Sequence, residues 1–393
     1  MTNVNYDVLI IGGGVMGCAA AYYLLKLDPR LQVAVLEMDP TYEKSSTVLS
    51  DGNTRVQFNL KENIQMSLYG LEVLKTFAEE MEVEGVRPDP AFRQQGNLFV
   101  LDDASQDESR EGWELQTSLG GLVYWLTPED VQREYPLYGL KDCVAGTLGV
   151  QDGTMSPSAI LLGYKKKVIA LGAKFIHAEV TEILKSGNEV TGVKLASGEI
   201  LNSKIVLNAA GAWATKIAKT VGVDLPIDPI KRQVTVVETN ARPENILPGL
   251  FLPSGLYIFH EGAGIFSVGK SFATDYVGID DFTWERKTFE EVIWSELVEY
   301  IPEFDRLKIL RGWAGLYEVN TLDDNAILGE WSQLKGFYLA NGFSGHGFQQ
   351  CHAVGRYIAE LILKRKPTLD LSIFSPQRIL DNKPVFESKR KII

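Results

Sequence analysis

The order of apolar and polar positions gives the chain two alternating textures. In the first, short wholly apolar runs meet segments of helical periodicity, the pattern of strands buried on both faces of a parallel sheet with helices between them. Val8-Leu9-Ile10-Ile11 is followed by a glycine run and then by Cys18-Ala19-Ala20-Ala21-Tyr22-Tyr23-Leu24, which predicts strand, tight turn and helix. Residues 32–36 form the next expected strand, and Ile64, Leu68, Leu71, Leu74 and Phe77 mark a packing face on a helix over 63–80. From about Val86 short alternating segments appear, at 97–101 and 121–126, and Thr127-Pro128-Glu129-Asp130 opens a helix. The first texture returns with a helix over 158–171, a strand at 174–176, a hairpin through 180–201 and a buried strand over 204–213. Segments 234–238, 257–260 and 264–269 again look like strands of the second type. A helix over 289–300 stops at Ile301-Pro302. The strand at 337–341 runs through glycines into a last helix, whose face is Cys351, Val354, Gly355, Ile358, Leu361 and Ile362.

This pattern predicts an α/β chain, α+β overall. A Rossmann-like nucleotide domain is assembled from 1–85, 154–222 and 326–370, with an inserted, mostly antiparallel β-sheet domain from 86–153 and 223–325 and a tail over 371–393. Within the first turn, Gly12, Gly14 and Gly17 have the G-x-G-x-x-G spacing. The first glycine permits the turn, the second admits a pyrophosphate, and the third lets helix pack on strand. Val15 and Met16 open the helix whose free N–H groups face the phosphates. Glu37, at the end of the second strand, stands about 20 residues on, where a ribose-binding acid is expected. Ala210, Gly211 and Trp213 end the buried strand over 204–213 in small residues and mark a second place where backbone can approach a ligand.

Composition narrows the field. A formal net charge of -12 argues against a nucleic-acid partner. Cys18, Cys143 and Cys351 are widely spaced and indicate neither a disulfide framework nor a zinc site, so no metal is expected. The first strand begins near Tyr6, leaving no room for a leader, and no run of some 18 apolar residues offers a transmembrane segment. A cytoplasmic protein is the expectation.

The far end of the chain changes the cofactor. A nicotinamide enzyme needs one fingerprint, whereas a flavin held along its length needs a grip on the ring as well. Gly342-Phe343-Ser344-Gly345-His346-Gly347-Phe348 supplies it: three glycines let backbone lie against the isoalloxazine, and the following helix points its positive end where charge develops on reduction. FAD is therefore expected rather than NAD.

These runs, with Trp313-Ala314-Gly315-Leu316-Tyr317 and Asn208-Ala209-Ala210-Gly211-Ala212-Trp213, resemble the D-amino-acid oxidase superfamily, in the branch of sarcosine and glycine oxidases, dimethylglycine dehydrogenase and the beta subunits of dye-linked proline dehydrogenases. Gln57-Phe58-Asn59-Leu60-Lys61-Glu62-Asn63-Ile64-Gln65, Asn320-Thr321 and His346-Gly347-Phe348-Gln349-Gln350 are similar to the FAD-containing assembly factors of mitochondrial complex I. The resemblance implies FAD with its pyrophosphate on the first turn, adenosine ribose on Glu37, adenine near Val180, and flavin near Ser46, Thr47, Arg55 and the 342–348 run. Monomeric sarcosine oxidases link FAD to a cysteine where this chain has Ala314-Gly315-Leu316, so FAD is expected to be non-covalent. Their carboxylate-clamping arginine and lysine correspond to Phe58 and Gln349, and their oxygen-activating lysine falls near Ser267.

The implied activity is oxidation of a secondary amine or amino acid by hydride transfer to flavin N5, with a partner subunit or separate electron acceptor possible. Tyr257, His260, Lys270, Tyr317, His346 and Gln349 are the candidate pocket residues. The alternative is a weakly catalytic or non-catalytic flavoprotein that binds a protein partner.

Overall fold

The computed structural model describes residues 5–139 and 142–387. The basic run Lys389-Arg390-Lys391, read as the end of a tail, lies outside the described residues. A six-stranded sheet runs in the spatial order Ile327–Glu330, Phe337–Asn341, Val206–Asn208, Val8–Ile11, Val33–Glu37, Lys174–His177. All neighbours are parallel except the first pair. Side-chain alternation explains why its inner strands are wholly apolar. Val8, Ile10, Val33 and Val35 enter one core with the helices Val15–Leu27, Pro157–Ala170 and Gly347–Ile362, while Leu9, Ile11, Ala34 and Leu36 enter a second on the opposite face. The first and last of these helices cross closely at Gly355, where a Cβ would stand 2.8 Å from that of Ala19. Both glycine-run helix starts, 332 residues apart in sequence from Val15 to Gly347, thereby meet at the C-terminal ends of inner strands of the sheet.

An eight-stranded sheet contains Leu307–Asn320, Ile227–Thr239, Ile265–Lys270, Leu256–Gly262, Gly249–Phe251, Asn97–Leu101, Ala145–Gly149 and Val123–Leu126, in that spatial order. It is antiparallel except where 249–251 meets 97–101. One face packs Leu98, Ile258, Phe266 and Val268 against Leu297 and Phe304. The other carries Phe99, Phe251, Tyr257 and Phe259 toward the nucleotide-binding side.

The segment 371–387 departs from the expected tail. Leu371 and Phe374 are buried, and Arg378 forms a two-pronged ion pair with Asp323. Glu387 accepts the backbone N–H groups of Asn59 and Leu60 at 2.5 and 3.0 Å, at the start of the helix Lys61–Glu80, whose N-cap Leu60 has no capping side chain. A carboxylate thus meets the orphan donors and positive dipole end of that helix.

Candidate functional site

A cleft of ≈ 1300 Å³, open mouth included, runs along the C-terminal ends of the parallel strands. This is where open α/β sheets bind ligands. Gly12, Gly14, Val15, Met16, Glu37, Ser46, Thr47, Val180, Ala210, Gly211 and Trp213 line it, together with Tyr317, Phe343, Gly345, Gly347 and Phe348. Gly17 does not line it; its Cα faces the carbonyl of Gly12, with room for no side chain. Gly342 and Ser344 instead hold the shape of the second turn, both with positive φ, and Ser344 donates to Glu318 and receives the N–H of Asn320.

At one end, Glu37 accepts the N–H of Gly13 at 2.7 Å and of Asp39 at 2.8 Å, one on each oxygen. Burial raises its pKa against those two bonds. Each oxygen retains a lone pair, so a ribose diol can be received without displacing either partner. Thr47 Oγ1 accepts Val15 N–H, and Gly14 has no other atom within 4 Å of a would-be Cβ, so the helix start opens on the cleft. At the other end the helix Gly347–Ile362 also begins without a capping side chain. Glu318, beneath this turn, accepts Gly342 N–H at 3.0 Å, and burial pushes its carboxyl up to about 8. The two helix starts and the ribose acid fit a dinucleotide lying along the cleft with its ring on the second glycine turn.

Beyond the flavin end, under the eight-stranded sheet, lies a packed cluster of aromatic and charged side chains. Arg55 is buried, its guanidinium 4.8 Å from the Phe58 ring centre, 5.4 Å from Phe99 and 5.9 Å from Phe251. Its Nη2 lies 3.0 Å from His346 Nε2, and Gln349 Oε1 accepts its backbone N–H at 2.7 Å. Burial lowers its pKa to about 10. Asp51 accepts the Tyr257 hydroxyl at 2.8 Å, and burial raises its carboxyl to about 7.

Two expected pocket residues lie elsewhere. On Leu256–Gly262, Tyr257 and Phe259 join that aromatic cluster, so His260, one position on, points to the other face. There it stacks on Phe266 at 4.6 Å and accepts Leu247 N–H, with its pKa lowered by burial. Lys270 shares that far face with Phe266 and Val268 and is ion-paired to Glu296. The cause is the two-residue period of a strand. Lys270→Met is therefore expected to leave flavin binding within about twofold and to lower stability by roughly 1 kcal/mol; flavin titration and urea unfolding check both. Asp51, Glu318, Phe99 and Phe251 were not singled out from the sequence. Asp51 stood inside a polar loop already of interest, Ser50 to Arg55, but only folding reveals its partner Tyr257, 206 positions away.

Fold and cleft together define a dinucleotide-binding oxidoreductase with a flavin-shaped second grip. Residues 7–361 match the family model "FAD dependent oxidoreductase" (DAO), and the chain belongs to that family. It binds FAD, as the flavoproteins of that family do. It is 34% identical to FAD-dependent oxidoreductase domain-containing protein 1 of Xenopus laevis, over 97% of this chain and 84% of that protein. It is 27% identical to sarcosine oxidase subunit beta of Arthrobacter sp, over 91% and 87%. Among solved structures, L-proline dehydrogenase from P. horikoshii superposes with a TM-score of 0.86 at 29% identity, over 97% of this chain and 100% of that one. No helix among the described residues is long and apolar enough to cross a membrane.

Proposed function

We propose that the chain oxidises a secondary amine or amino acid, removing hydride from the carbon next to nitrogen. The observation behind this is the juxtaposition of the flavin end of the cleft, lined by Tyr317, Phe343 and Gly345, with the aromatic cluster of Arg55, Phe99, Phe251 and Tyr257. Bound FAD supplies the electron-pair acceptor. The chain's residues do the rest: the glycine turns fix the ring, the helix start at Gly347 stabilises negative charge there, and the apolar lining of the cleft by Leu316, Phe343 and Phe348 limits water at the substrate carbon. The resulting imine hydrolyses in water. The names of the sarcosine-oxidising and proline-oxidising relatives support this substrate class. The two textures support the two-domain division, with its boundaries as given above, and non-covalent FAD agrees with the absence of cysteine from Ala314-Gly315-Leu316, of which Leu316 lines the cleft.

A second reading rests on Phe58 and Gln349, which stand where sarcosine oxidases clamp a carboxylate: a flavoprotein that mainly binds a protein partner. One experiment separates them. Holoprotein is mixed anaerobically with N-methyl amino acids, proline and glycine, and the flavin absorbance is followed before and after air is admitted. Bleaching by a member of the panel is expected. Tightly bound flavin that no member bleaches would overturn the enzymatic reading in favour of the second, and recovery in air would identify an oxidase.

A further inference from the structure

A second cavity, of ≈ 860 Å³ with its open mouth included, lies beside the aromatic cluster, and no residue lines both it and the FAD cleft. Phe99, Leu101, Phe251 and Leu256 give it apolar walls. Phe99 and Phe251 are stacked with ring centres 4.4 Å apart and planes within 6°, so they present one flat aromatic surface. The helix Gln106–Ser118 supplies another side, through Ser105 at its N-cap, Ser109 and Gln116. Gly112 lets that helix lie close, since a Cβ there would run into the Asn59 side chain.

Two glutamines turn this cavity into a built site. Gln57 and Gln116 both line it, and both are more than nine-tenths buried. Gln57 donates from Nε2 to the carbonyl of Asn97 at 2.9 Å and to the Asp152 carboxylate at 3.0 Å. Gln116 donates from Nε2 to the carbonyl of Phe58 at 2.8 Å. A backbone carbonyl only accepts, so neither amide can be turned over and the oxygen of each is the open atom. Among the described residues neither Oε1 has a partner. Asp152, behind the Gln57 amide, draws on its N–H and makes the oxygen a better acceptor.

These features select the ligand. Two carbonyl oxygens repel an anion and call for N–H or O–H donors. No charged side chain lines the cavity among the described residues, so an ammonium would lose its hydration without a counter-ion. We propose that this cavity is a second small-molecule site, separate from the FAD cleft, for an uncharged ligand with an apolar or aromatic body and at least two hydrogen-bond donors. A primary carboxamide is the simplest such group. The body lies against Phe99 and Phe251, and the donors meet Gln57 and Gln116. The site is independent of the amine-oxidation reading and needs no electron transfer.

The test compares benzamide, which has two N–H donors, with N,N-dimethylbenzamide, which has none. Each is titrated into the FAD-loaded protein by calorimetry, with the flavin spectrum recorded alongside. Benzamide is expected to bind about tenfold more tightly than its dimethyl analogue, the worth of about one to two hydrogen bonds, without changing the flavin spectrum. Ser109→Phe fills the cavity from a half-buried helix position and is expected to abolish binding while FAD is retained. Gln116→Met keeps length and removes the acceptor, and is expected to cut the tenfold preference to about twofold. That preference is a ratio within one protein, so it reads the acceptor even where the variant is less stable. No binding of either amide, or equal binding of the two, would overturn the proposal and leave a water-filled cavity. Binding that shifts the flavin spectrum and survives Ser109→Phe would overturn it too, by placing the amide in the FAD cleft.

Discussion

Alanine at Gly12 will strip FAD from the protein and lower the stability of the apoprotein, whereas alanine at Gly14 will weaken FAD alone. Gly12 has φ +101, and a Cβ there would lie 2.3 Å from the carbonyl oxygen of Ala209 at the end of the neighbouring parallel strand. A side chain at this φ is strained by itself, on the order of 1–3 kcal/mol. The contact adds to it, because strand and turn have to separate to admit the methyl. Both penalties fall on the sheet whether or not FAD is present. Gly14 differs in each respect: its φ is -65, and its would-be Cβ meets only Thr47 Oγ1 at 3.4 Å. Its methyl fills the space through which a pyrophosphate approaches the free N–H groups of the helix start. We expect the FAD dissociation constant to rise about a hundredfold for each variant, equivalent to about 2.7 kcal/mol, with the apo melting temperature falling only for Gly12→Ala. Fluorescence titration of FAD and apo thermal unfolding measure the two. A Gly12→Ala apoprotein that melts with the wild type, or a Gly14→Ala protein that keeps wild-type affinity, would show that the turn does not act as described.

The nucleotide-binding half was legible because local rules determine it. Wholly apolar strands imply a sheet covered on both faces, and the G-x-G-x-x-G spacing with Glu37 at its distance leaves few other arrangements. The second sheet was less legible. The strand Ile227–Thr239 was expected only over 234–238; it extends through Pro229 because Ile265–Lys270 pairs along 234–238 and does not reach that proline, so the missing N–H is tolerated there. Tyr257 and His260 were nominated together although strand alternation sends them to opposite faces. Asp51 was invisible for a different reason. Asp51 looked like one polar residue in a loop, and its chemistry comes from burial beside Tyr257 and from an aromatic row whose members lie at 99, 251 and 257.

The buried pair Asp323–Arg378 sets the stability of the flavin end, and its two halves should respond unequally. Arg378 donates from Nε and Nη2 to the two Asp323 oxygens at 2.8 and 3.1 Å, and further to the carbonyls of Phe374 and Asn325. Asp323 also accepts from Asn320 Nδ2 and from the backbone of Asn325 and Val385. Arg378→Met deletes the cation but leaves the carboxylate with those three donors, so a loss of about 1–3 kcal/mol follows. Asp323→Ala leaves a guanidinium without its counter-ion in a place water does not reach and orphans the same three donors; about 3–5 kcal/mol is expected. The effect should extend to the cofactor, because Asn320 N–H donates to Ser344 Oγ at 3.0 Å and its Cβ lies 3.3 Å from a would-be Cβ on Gly342. Chemical unfolding of both variants and of the double variant, with FAD retention measured on each, gives the coupling directly. Asp323→Ala should be the least stable of the three and the poorest at holding FAD. Equal losses in the two single variants would mean that the pair is not desolvated, and the segment 371–387 would then contribute nothing to the second glycine turn.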